Sequence, residues 1–248
     1  MPEVAAEVVG YAKSRQRRDG LHFILDVGAS TLDLCAFVLH SDRGDDVYEL
    51  LSADVRPLGL LALHDARMEA ARRRPPFDRW PSDLAESIPE WEELSGMPPE
   101  TRERLRLADD SYVKTAARRV LLRMIDYVRH HRDPHAAGWR TGVPLFLCGG
   151  GSGHPAIPRT VALADSTGRR NWTGYQGLKA TSLPVPASLA SELPAGLFQR
   201  RLSVAYGLSF PGINIGPINP PHTIENVEDP DRFVGGKWRE RFVDKDQV

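Results

Sequence analysis

The sequence is poor in cysteine and has no long apolar run. Its 248 residues include two cysteines, Cys35 and Cys148, which lie far apart and inside separate apolar stretches. Two such residues exclude a disulfide framework and a cysteine-built zinc site, and we expect buried, reduced thiols. No stretch approaches the ~20 apolar residues of a membrane helix, and the first residues do not resemble a signal peptide. These features predict a cytoplasmic protein.

The chain also lacks an excess of charge of either sign. It carries 32 basic and 33 acidic side chains, for a net charge of −1. Such a balance gives no global electrostatic attraction to nucleic acid or to an anionic membrane, so we expect neither as a partner. Apolar residues make up 41% and charged residues 26%, the composition of a soluble globular protein with a full core.

The pattern of apolar residues predicts an α/β fold. Three strands in a meander are expected first, then helices, then one fully apolar strand that ends in glycines. The predicted helices cover 2–13, 58–74, 111–132, 157–164 and 198–209, and the predicted strands 21–27, 32–39, 47–55, 143–148 and 179–185.

Composition also suggests how the chain is divided. Residues 1–210 carry the periodic patterns and are expected to form one unit. Within it, 75–110 is rich in proline and charge and is predicted to be a small helical insertion. Residues 211–248 are rich in Pro, Gly, Asn and charged residues, and we expect an extended or partly disordered tail there.

The first of two unusual turns follows the first predicted strand, in the sequence Asp26-Val27-Gly28-Ala29-Ser30-Thr31-Leu32-Asp33. Small residues let the backbone approach a ligand closely, and successive backbone N–H groups in such a turn form a concavity that suits phosphate. Asp26 is able to hold a hydrated Mg²⁺ or to orient a water molecule. Asp33 is able to anchor the turn by accepting backbone hydrogen bonds. A plain hairpin with a capped acidic residue explains the same residues equally well.

The second turn, Gly149-Gly150-Gly151-Ser152-Gly153, joins an apolar strand to a helix. Glycines there permit a flat ring or a phosphate to pass close to the backbone. The turn is not a Walker A loop, because no Gly-Lys-Ser or Gly-Lys-Thr follows. The glycine spacing does not fit a dinucleotide fingerprint, and Ser152 lacks the frame of a nucleophile elbow.

Together the two turns resemble the actin-like ATPase superfamily, which includes the seventy-kilodalton heat-shock chaperones, actin and bacterial plasmid-segregation filaments. The first turn, with its Thr-x-Asp, is similar to the second phosphate loop of the chaperone branch. The second, preceded by Leu145-Phe146-Leu147-Cys148, is similar to the adenosine loop. The helix that follows this loop in the chaperones is similar to the segment Val204-Ala205-Tyr206-Gly207-Leu208. The helix that leads into the second lobe is weakly similar to Pro2 to Tyr11.

The resemblance implies a ribonuclease-H-like second lobe: a mixed five-stranded sheet with helices on both faces. It implies that the lobe binds ATP or ADP with Mg²⁺ in a cleft against a first lobe. Asp26 would then lie beside the metal, holding it through water, and would orient the attacking water. The residues implied to contact the nucleotide are Gly28, Ala29, Ser30, Thr31 and Asp33 at the phosphates, and Gly149, Gly150, Gly151 and Ser152 at the adenosine.

The sequence departs from the superfamily pattern in three ways. Ala29 and Ser30 stand where the chaperones usually have glycines, and Gly153-His154 stands where they often place an arginine that stacks on the base. The first-lobe phosphate loop has no counterpart in these residues. We therefore expect hydrolysis only with a first lobe supplied by the same gene or another chain. Alternatively, exposed valines on the helix at 2–13 would drive self-association.

Two other functions fit the same pattern. A non-catalytic interaction or scaffold module would keep the actin-like fold without hydrolysing ATP. A carbohydrate or acetate kinase of the same superfamily is a further alternative, although those enzymes usually lack an aspartate at the position of Asp33. The histidines His130, His131 and His135 have no carboxylate or thiolate at ligand spacing, so a solvated helix end explains them better than a metal site.

Overall fold

The computed structural model describes residues 3–71, 98–186, 202–211 and 215–220. Within these residues the strands are β1 (Gly20–Val27), β2 (Leu32–Asp42), β3 (Asp45–Arg56), β4 (Val143–Cys148), β5 (Leu178–Thr181) and β6 (Ile218–Asn219). The described helices are α1 (Glu3–Ala12), α2 (Leu60–Ala70), α3 (99–132), α4 (Gly138–Thr141), α5 (Ala156–Asn171) and α6 (Ser203–Leu208). Helix α3 is continuous and consists of Pro99–Ala116, Ala117–Leu122, Arg123–Tyr127 and Val128–Arg132, the second and fourth segments being π-helical.

The described strands form one mixed sheet in the order β5-β4-β1-β2-β3-β6. Strands β1, β2 and β3 are an antiparallel meander, whereas β4 runs parallel to β1, β5 parallel to β4, and β6 parallel to β3. The predicted mixed α/β sheet is confirmed, but it has six strands rather than five. The additional strand is β6, a two-residue element that lies outside any hydrophobic run of the sequence.

Helices cover both faces of the sheet because successive residues of β1 point to opposite sides. On one face Phe23, Leu25 and Val27 pack with residues of α2, α3 and α5, including Leu63, Leu121 and Ile157. On the other face Ile24 packs with Val8 and Val9 of α1. Each face therefore has its own apolar cluster, and the sheet separates them.

Helix α1 is buried, so the prediction that it exposes Val8 and Val9 is wrong. Val8 is 1% exposed and Val9 0%. The helix is covered on its other side by α6, and the two backbones approach so closely that a side chain at Gly207 would overlap the carbonyl oxygen of Ala6. Val8 and Val9 therefore provide no exposed surface for self-association.

The long helix α3 begins earlier than its sequence pattern predicts. Residues 99–110, assigned from sequence to a surface insertion, form its first three turns and pack on α2 and α5. Only Leu105 and Asp109 are buried among these residues, so they lack the apolar stripe that marks a packed helix. Residues 75–97 of that predicted insertion lie outside the described residues, as do 212–214 and 221–248 of the predicted tail.

No helix within the described ranges is both long enough and apolar enough to cross a membrane.

Candidate functional site

The two glycine-containing turns lie at the same edge of the sheet. The first begins where β1 ends at Val27, and the second begins where β4 ends at Cys148. Strands β1 and β4 are neighbours and parallel, with Asp26 beside Cys148. In the sheet, β2 lies on one side of β1, and β4, which comes later in the chain, lies on the other side. The direction in which successive strands are added therefore reverses between β1 and β4. Ligands of open α/β sheets bind at such a reversal, beyond the carboxyl ends of the strands.

The first turn is closed by a hydrogen bond from the N–H of Gly28 to the carbonyl of Thr31, at 2.9 Å. Ala29 and Ser30 are exposed at its tip, while Gly28 and Thr31 are half-buried. Asp26 and Asp33 stand opposite each other in the β1–β2 register just below the turn. Both carboxylates are half-buried, and because paired residues share a face of the sheet they emerge on the side of α1.

Helix α2 begins directly against the first turn. The N–H groups of Gly59, Leu60 and Leu61 donate to the carbonyls of Ser30 (3.1 Å), Gly28 (3.2 Å) and Ala29 (2.8 Å). The first N–H groups of a helix have no partner within the helix, and here the turn satisfies them. Gly59 is required for this contact, since a Cβ atom there would lie 2.5 Å from both the carbonyl carbon of Ser30 and the nitrogen of Thr31.

These hydrogen bonds fix the direction of the turn's peptide groups. No peptide bond among the described residues is cis, so each carbonyl points opposite to the N–H of the next residue. The carbonyls of Gly28, Ala29 and Ser30 point to α2, and the N–H groups of Ala29, Ser30 and Thr31 therefore point away from it. Within the described part of the chain, neither Ala29 nor Ser30 donates its N–H to a backbone acceptor.

The second turn packs against the end of β1. Gly149 has a φ of +81°, and a Cβ atom on it would overlap Asp26 Oδ1 and stand 2.5 Å from the carbonyl oxygen of Val27. At Gly151 a Cβ atom would lie 2.7 Å from Val27 Cγ1 and 2.8 Å from Leu60 Cδ1. Gly150 differs, because a Cβ atom there meets nothing within 4 Å. The second turn thus touches both Asp26 and α2, and Gly150 alone of these three faces open space.

Ser152 completes the second turn from within. Its hydroxyl and its backbone N–H both donate to the carbonyl of Gly149, at 2.8 and 3.1 Å. This bonding holds the turn in its helical conformation ahead of α5. The Ser152 hydroxyl therefore has a hydrogen-bond partner within the turn, in addition to the contact with adenosine that the sequence predicts for this residue.

His154 lies beneath the turn and not on its surface. It is 3% exposed, and its Nδ1 accepts the N–H of Ala156 at the start of α5. Nearby, Arg67 of α2 and Asp109 of α3 form a buried pair with two hydrogen bonds of 2.7 Å. Burial, with a further contribution from Arg67, lowers the pKa of His154 to about 4. A neutral His154 packed in this way is not positioned to stack on a base.

Charge at the edge also affects the neighbouring thiol. Burial raises the pKa of Cys148 well above its usual value, and the carboxylates of Glu7 and Asp26 add to the effect. Burial likewise raises the pKa of Cys35 to about 12. Both cysteines are therefore neutral thiols at physiological pH, as expected of residues that only fill the core.

The residue types at the edge limit how a metal would be held. No group of three or more His, Cys, Asp or Glu side chains within the described residues is arranged to hold a metal ion. Mg²⁺ commonly keeps several waters and uses one or two carboxylates together with substrate phosphates. A single half-buried carboxylate such as Asp26 fits that mode of binding, through water.

Sequence reasoning found both turns but missed Gly59, Arg67, Asp109 and His154. Gly59 follows Pro57 and lies at the start of the predicted helix 58–74, a position where a glycine is unremarkable. The other three are polar residues whose burial depends on partners as many as 42 positions away. The sequence offers no local signal for such contacts.

Comparison with known proteins gives a structural likeness only. No protein-family profile and no curated protein matches the chain. Among solved structures, it is similar to ParM of pCBH in a non-polymerisable quadruple mutant, with 13% identity, 85% of this chain and 54% of that one covered, and a TM-score of 0.47. It is also similar to a PilM–PilN type IV pilus biogenesis complex, with 18% identity, coverage of 83% and 50%, and a TM-score of 0.46. A third similar structure is the archaeal actin homolog Ta0583 in complex with ADP. It is 16% identical, the match covers 84% of this chain and 54% of that one, and the TM-score is 0.42.

These neighbours are proteins of the actin-like ATPase fold, the superfamily that the two turns resemble. The chain spans about half the length of each of them. With TM-scores below 0.5 they carry neither a ligand nor an activity over to this chain. The finer resemblance to heat-shock chaperones and to their second lobe remains a prediction.

Proposed function

We propose that the edge formed by the two turns binds ATP or ADP. The observation that carries the proposal is the direction of the peptide groups in the first turn. Because α2 takes the carbonyls of Gly28, Ala29 and Ser30, the next three N–H groups face away from it together. Successive N–H groups that converge in this way form an anion-binding concavity, and phosphate is the anion that best fits it.

Asp26 and Asp33 serve the phosphate end of this site. Asp26 lies below the turn and against Gly149. There its carboxylate would hold a hydrated Mg²⁺ through water and would orient the attacking water molecule. Mg²⁺, when bound, would offset the negative charge of the phosphates. Asp33 faces Asp26 across β1 and β2 and keeps the base of the turn in place.

The second turn serves the adenosine end. Gly150 leaves open space above the backbone, and the adjoining Gly149 and Gly151 are fixed by contacts with β1 and α2. A flat ring is able to lie directly on such a backbone because no side chain intervenes. Val27 and Leu60, which hold Gly151 in position, connect this surface to the first turn.

Hydrolysis would require more than these residues provide. An oriented water and one set of N–H donors leave the charge of the transition state largely uncompensated. We therefore propose that a first lobe, from the same or another chain, completes the site. The described part of the chain alone would bind ATP in the range of tens of micromolar or weaker, about −6 kcal/mol.

Replacement of Gly150 by leucine tests the site without disturbing its packing. A side chain there enters open space, so the variant should fold as the wild type while its leucine occupies the place of the adenosine. Calorimetric titration with MgATP should show binding by the wild type and by Gly150→Ala, whose methyl group is small, and at least tenfold weaker binding by Gly150→Leu. Equal affinity in all three proteins would refute the assignment of adenosine to this turn.

Asp26→Asn tests the phosphate end. The substitution removes the charge and keeps the shape, so affinity for ATP should fall in the presence of Mg²⁺ and change little in EDTA. Asp126→Asn, at an exposed carboxylate of α3, is the matched control. If the wild type shows no nucleotide binding at all, the second candidate, a scaffold module that keeps only the fold, takes its place.

A further inference from the structure

A second concave site lies at the opposite end of the sheet. It is a cavity of about 480 Å³ between the end of α3, helix α4 and the turn that precedes β5. Its residues Arg140 and Thr141 come just before β4, whereas the glycine turns come just after it. At ~3.3 Å per residue, the length of β4 separates the two sites by about 20 Å. The cavity is thus no part of the proposed nucleotide site.

One guanidinium in this cavity is held in place from two sides. Arg129 Nη2 donates to the carbonyl of Thr173 at 2.7 Å, and its Cζ lies 5.6 Å from the ring centre of Trp139. Trp139 is itself fixed, being 2% exposed with its Nε1 donating to the carbonyl of Asp133 at 2.7 Å. The orientation of Arg129 is therefore set before any ligand arrives, which lowers the entropy lost on binding.

The donors of Arg129 are only partly used. A guanidinium has five N–H groups, and within the part of the chain that the structure describes Arg129 makes one hydrogen bond and no ion pair with a carboxylate. Two acids on the packed elements, Asp126 and Asp165, are engaged with other groups. Asp126 pairs with His130 at 3.1 Å, and Asp165 accepts from the Tyr175 hydroxyl at 3.1 Å and from the Leu178 N–H at 2.8 Å.

The rest of the cavity adds positive charge and no negative charge. Arg140 and His135 also line it, and none of its lining residues is Asp or Glu. Pro134, Ala136 and Ala137 supply an apolar wall. The volume lies within the range of small-molecule sites, about 300–1,000 Å³. A concave site with an oriented arginine, a second arginine and no acid suits a phosphate group, which takes the planar fork of arginine in a bidentate manner.

We infer that this cavity binds a small phosphorylated molecule, with its phosphate on Arg129 and Arg140 and its apolar part against Ala136 and Ala137. The site is distinct from the nucleotide edge in residues and in position. Its occupant would contact both the end of α3 and the segment that precedes β5, because Arg129, Thr173 and Gly174 all line the cavity.

The experiment uses the full chain and inorganic phosphate as the probe. Phosphate is added at constant ionic strength against chloride and against acetate, and the indole N–H resonance of Trp139 is followed by NMR after its assignment with Trp139→Phe. Following this resonance separates the cavity from the first glycine turn, which also presents N–H groups to anions. A saturable shift with phosphate, absent with chloride and weaker with acetate, is the expected result.

Variants locate the phosphate. Arg140→Gln alters an exposed side chain and should not affect folding, yet it should weaken phosphate binding about threefold. Arg129→Gln should weaken it about tenfold, since a charge-assisted hydrogen bond is lost. Arg119→Gln, exposed on the same helix and outside the cavity, should bind as the wild type. Binding that is unchanged in both cavity variants, equal for acetate and phosphate, or absent in the wild type would overturn the proposal.

Discussion

Gly149 lies directly against Asp26, so closely that any Cβ atom at position 149 would overlap Asp26 Oδ1. This contact joins the last residue pair of β1 and β4 to the start of the second turn, and it determines where the Asp26 carboxylate is able to lie. The backbone at Gly149 also has a φ of +81°, a value that residues with a side chain rarely adopt. Two separate constraints therefore require glycine at this position.

Gly149→Ala should destabilise the protein by about 2–4 kcal/mol, the sum of overpacking and of an unfavourable φ. The measurement is urea unfolding followed by circular dichroism. Gly150→Ala is the matched control, because it adds the same methyl group one residue later in open space, and its midpoint should differ little from that of the wild type. Equal loss in both variants would contradict the packing described for Asp26.

The meander and the two turns were predictable because their signals are local. Dense apolar runs broken by small or polar residues predict strands and turns without knowledge of the rest of the chain. The position of the second turn followed from the run Val143 to Cys148, which is β4 without any shift of its ends. That both turns share one edge follows from β4 pairing with β1, a tertiary fact that hydrophobic patterns do not contain.

The errors concern residues whose environment is made by distant parts of the chain. Val8 and Val9 were expected in solvent because no first lobe covers α1, but α6, almost two hundred residues later in the chain, helps to bury them. The start of α3 was missed because its first turns are anchored by Asp109, a charged residue that is only 2% exposed through its pair with Arg67. A charge in a buried ion pair appears in the sequence as an ordinary surface residue.

The protein should lose stability in acid because of His22. Burial lowers its pKa to about 4, from 6.5 in the unfolded chain, so the folded protein holds it neutral. In that state Nδ1 donates to the carbonyl of Gly20, Nε2 accepts from the Tyr11 hydroxyl, and the ring stacks between Phe37 and Phe146. The stabilisation is fully present above pH 6.5 and is lost as the pH falls toward 4, by about 3 kcal/mol.

The measurement for His22 is the free energy of unfolding in urea between pH 7.5 and 4. His22→Phe keeps an aromatic ring in the stack and removes the titrating group. The free energy of unfolding of this variant should therefore change less steeply with pH, even though the variant is less stable than the wild type at pH 7.5. A slope equal to that of the wild type in this variant would contradict the assignment of the acid sensitivity to His22. His154 has a similarly lowered pKa and accounts for part of the slope that remains.

Arg67 and Asp109 should be strongly coupled. Their side chains are 8% and 3% exposed, and removal of one partner leaves a charge buried without its counterion. Asp109→Leu and Arg67→Met are each expected to cost about 3–5 kcal/mol, while the double variant that combines them should cost clearly less than the sum of the two. A double-mutant cycle from urea unfolding gives the coupling energy. Strict additivity would mean that the two residues act independently.

Gly59→Ala should weaken ATP binding although residue 59 belongs to neither turn. The new methyl group would lie 2.5 Å from the Ser30 carbonyl carbon and the Thr31 nitrogen, and it therefore forces α2 away from the first turn. The hydrogen bonds that the N–H groups at the start of α2 donate to the first turn are then lost, and the carbonyls of the turn are free to rotate. The N–H groups on the opposite side of these peptides then no longer converge. We expect about tenfold weaker binding of MgATP, the loss of about one net hydrogen bond.

The control must separate this effect from a general loss of stability. Leu63→Ala removes a fully buried side chain from the same helix, one turn further along and away from the first turn, and should cost about 2–5 kcal/mol. Calorimetry on the folded protein, at a temperature well below the unfolding midpoint of each variant, should show near wild-type affinity for Leu63→Ala and reduced affinity for Gly59→Ala. If both variants bind ATP as the wild type does, the turn does not depend on α2 for its shape. If both weaken equally, general destabilisation explains the result, and the hydrogen bonds at the start of α2 have no specific role in holding phosphate.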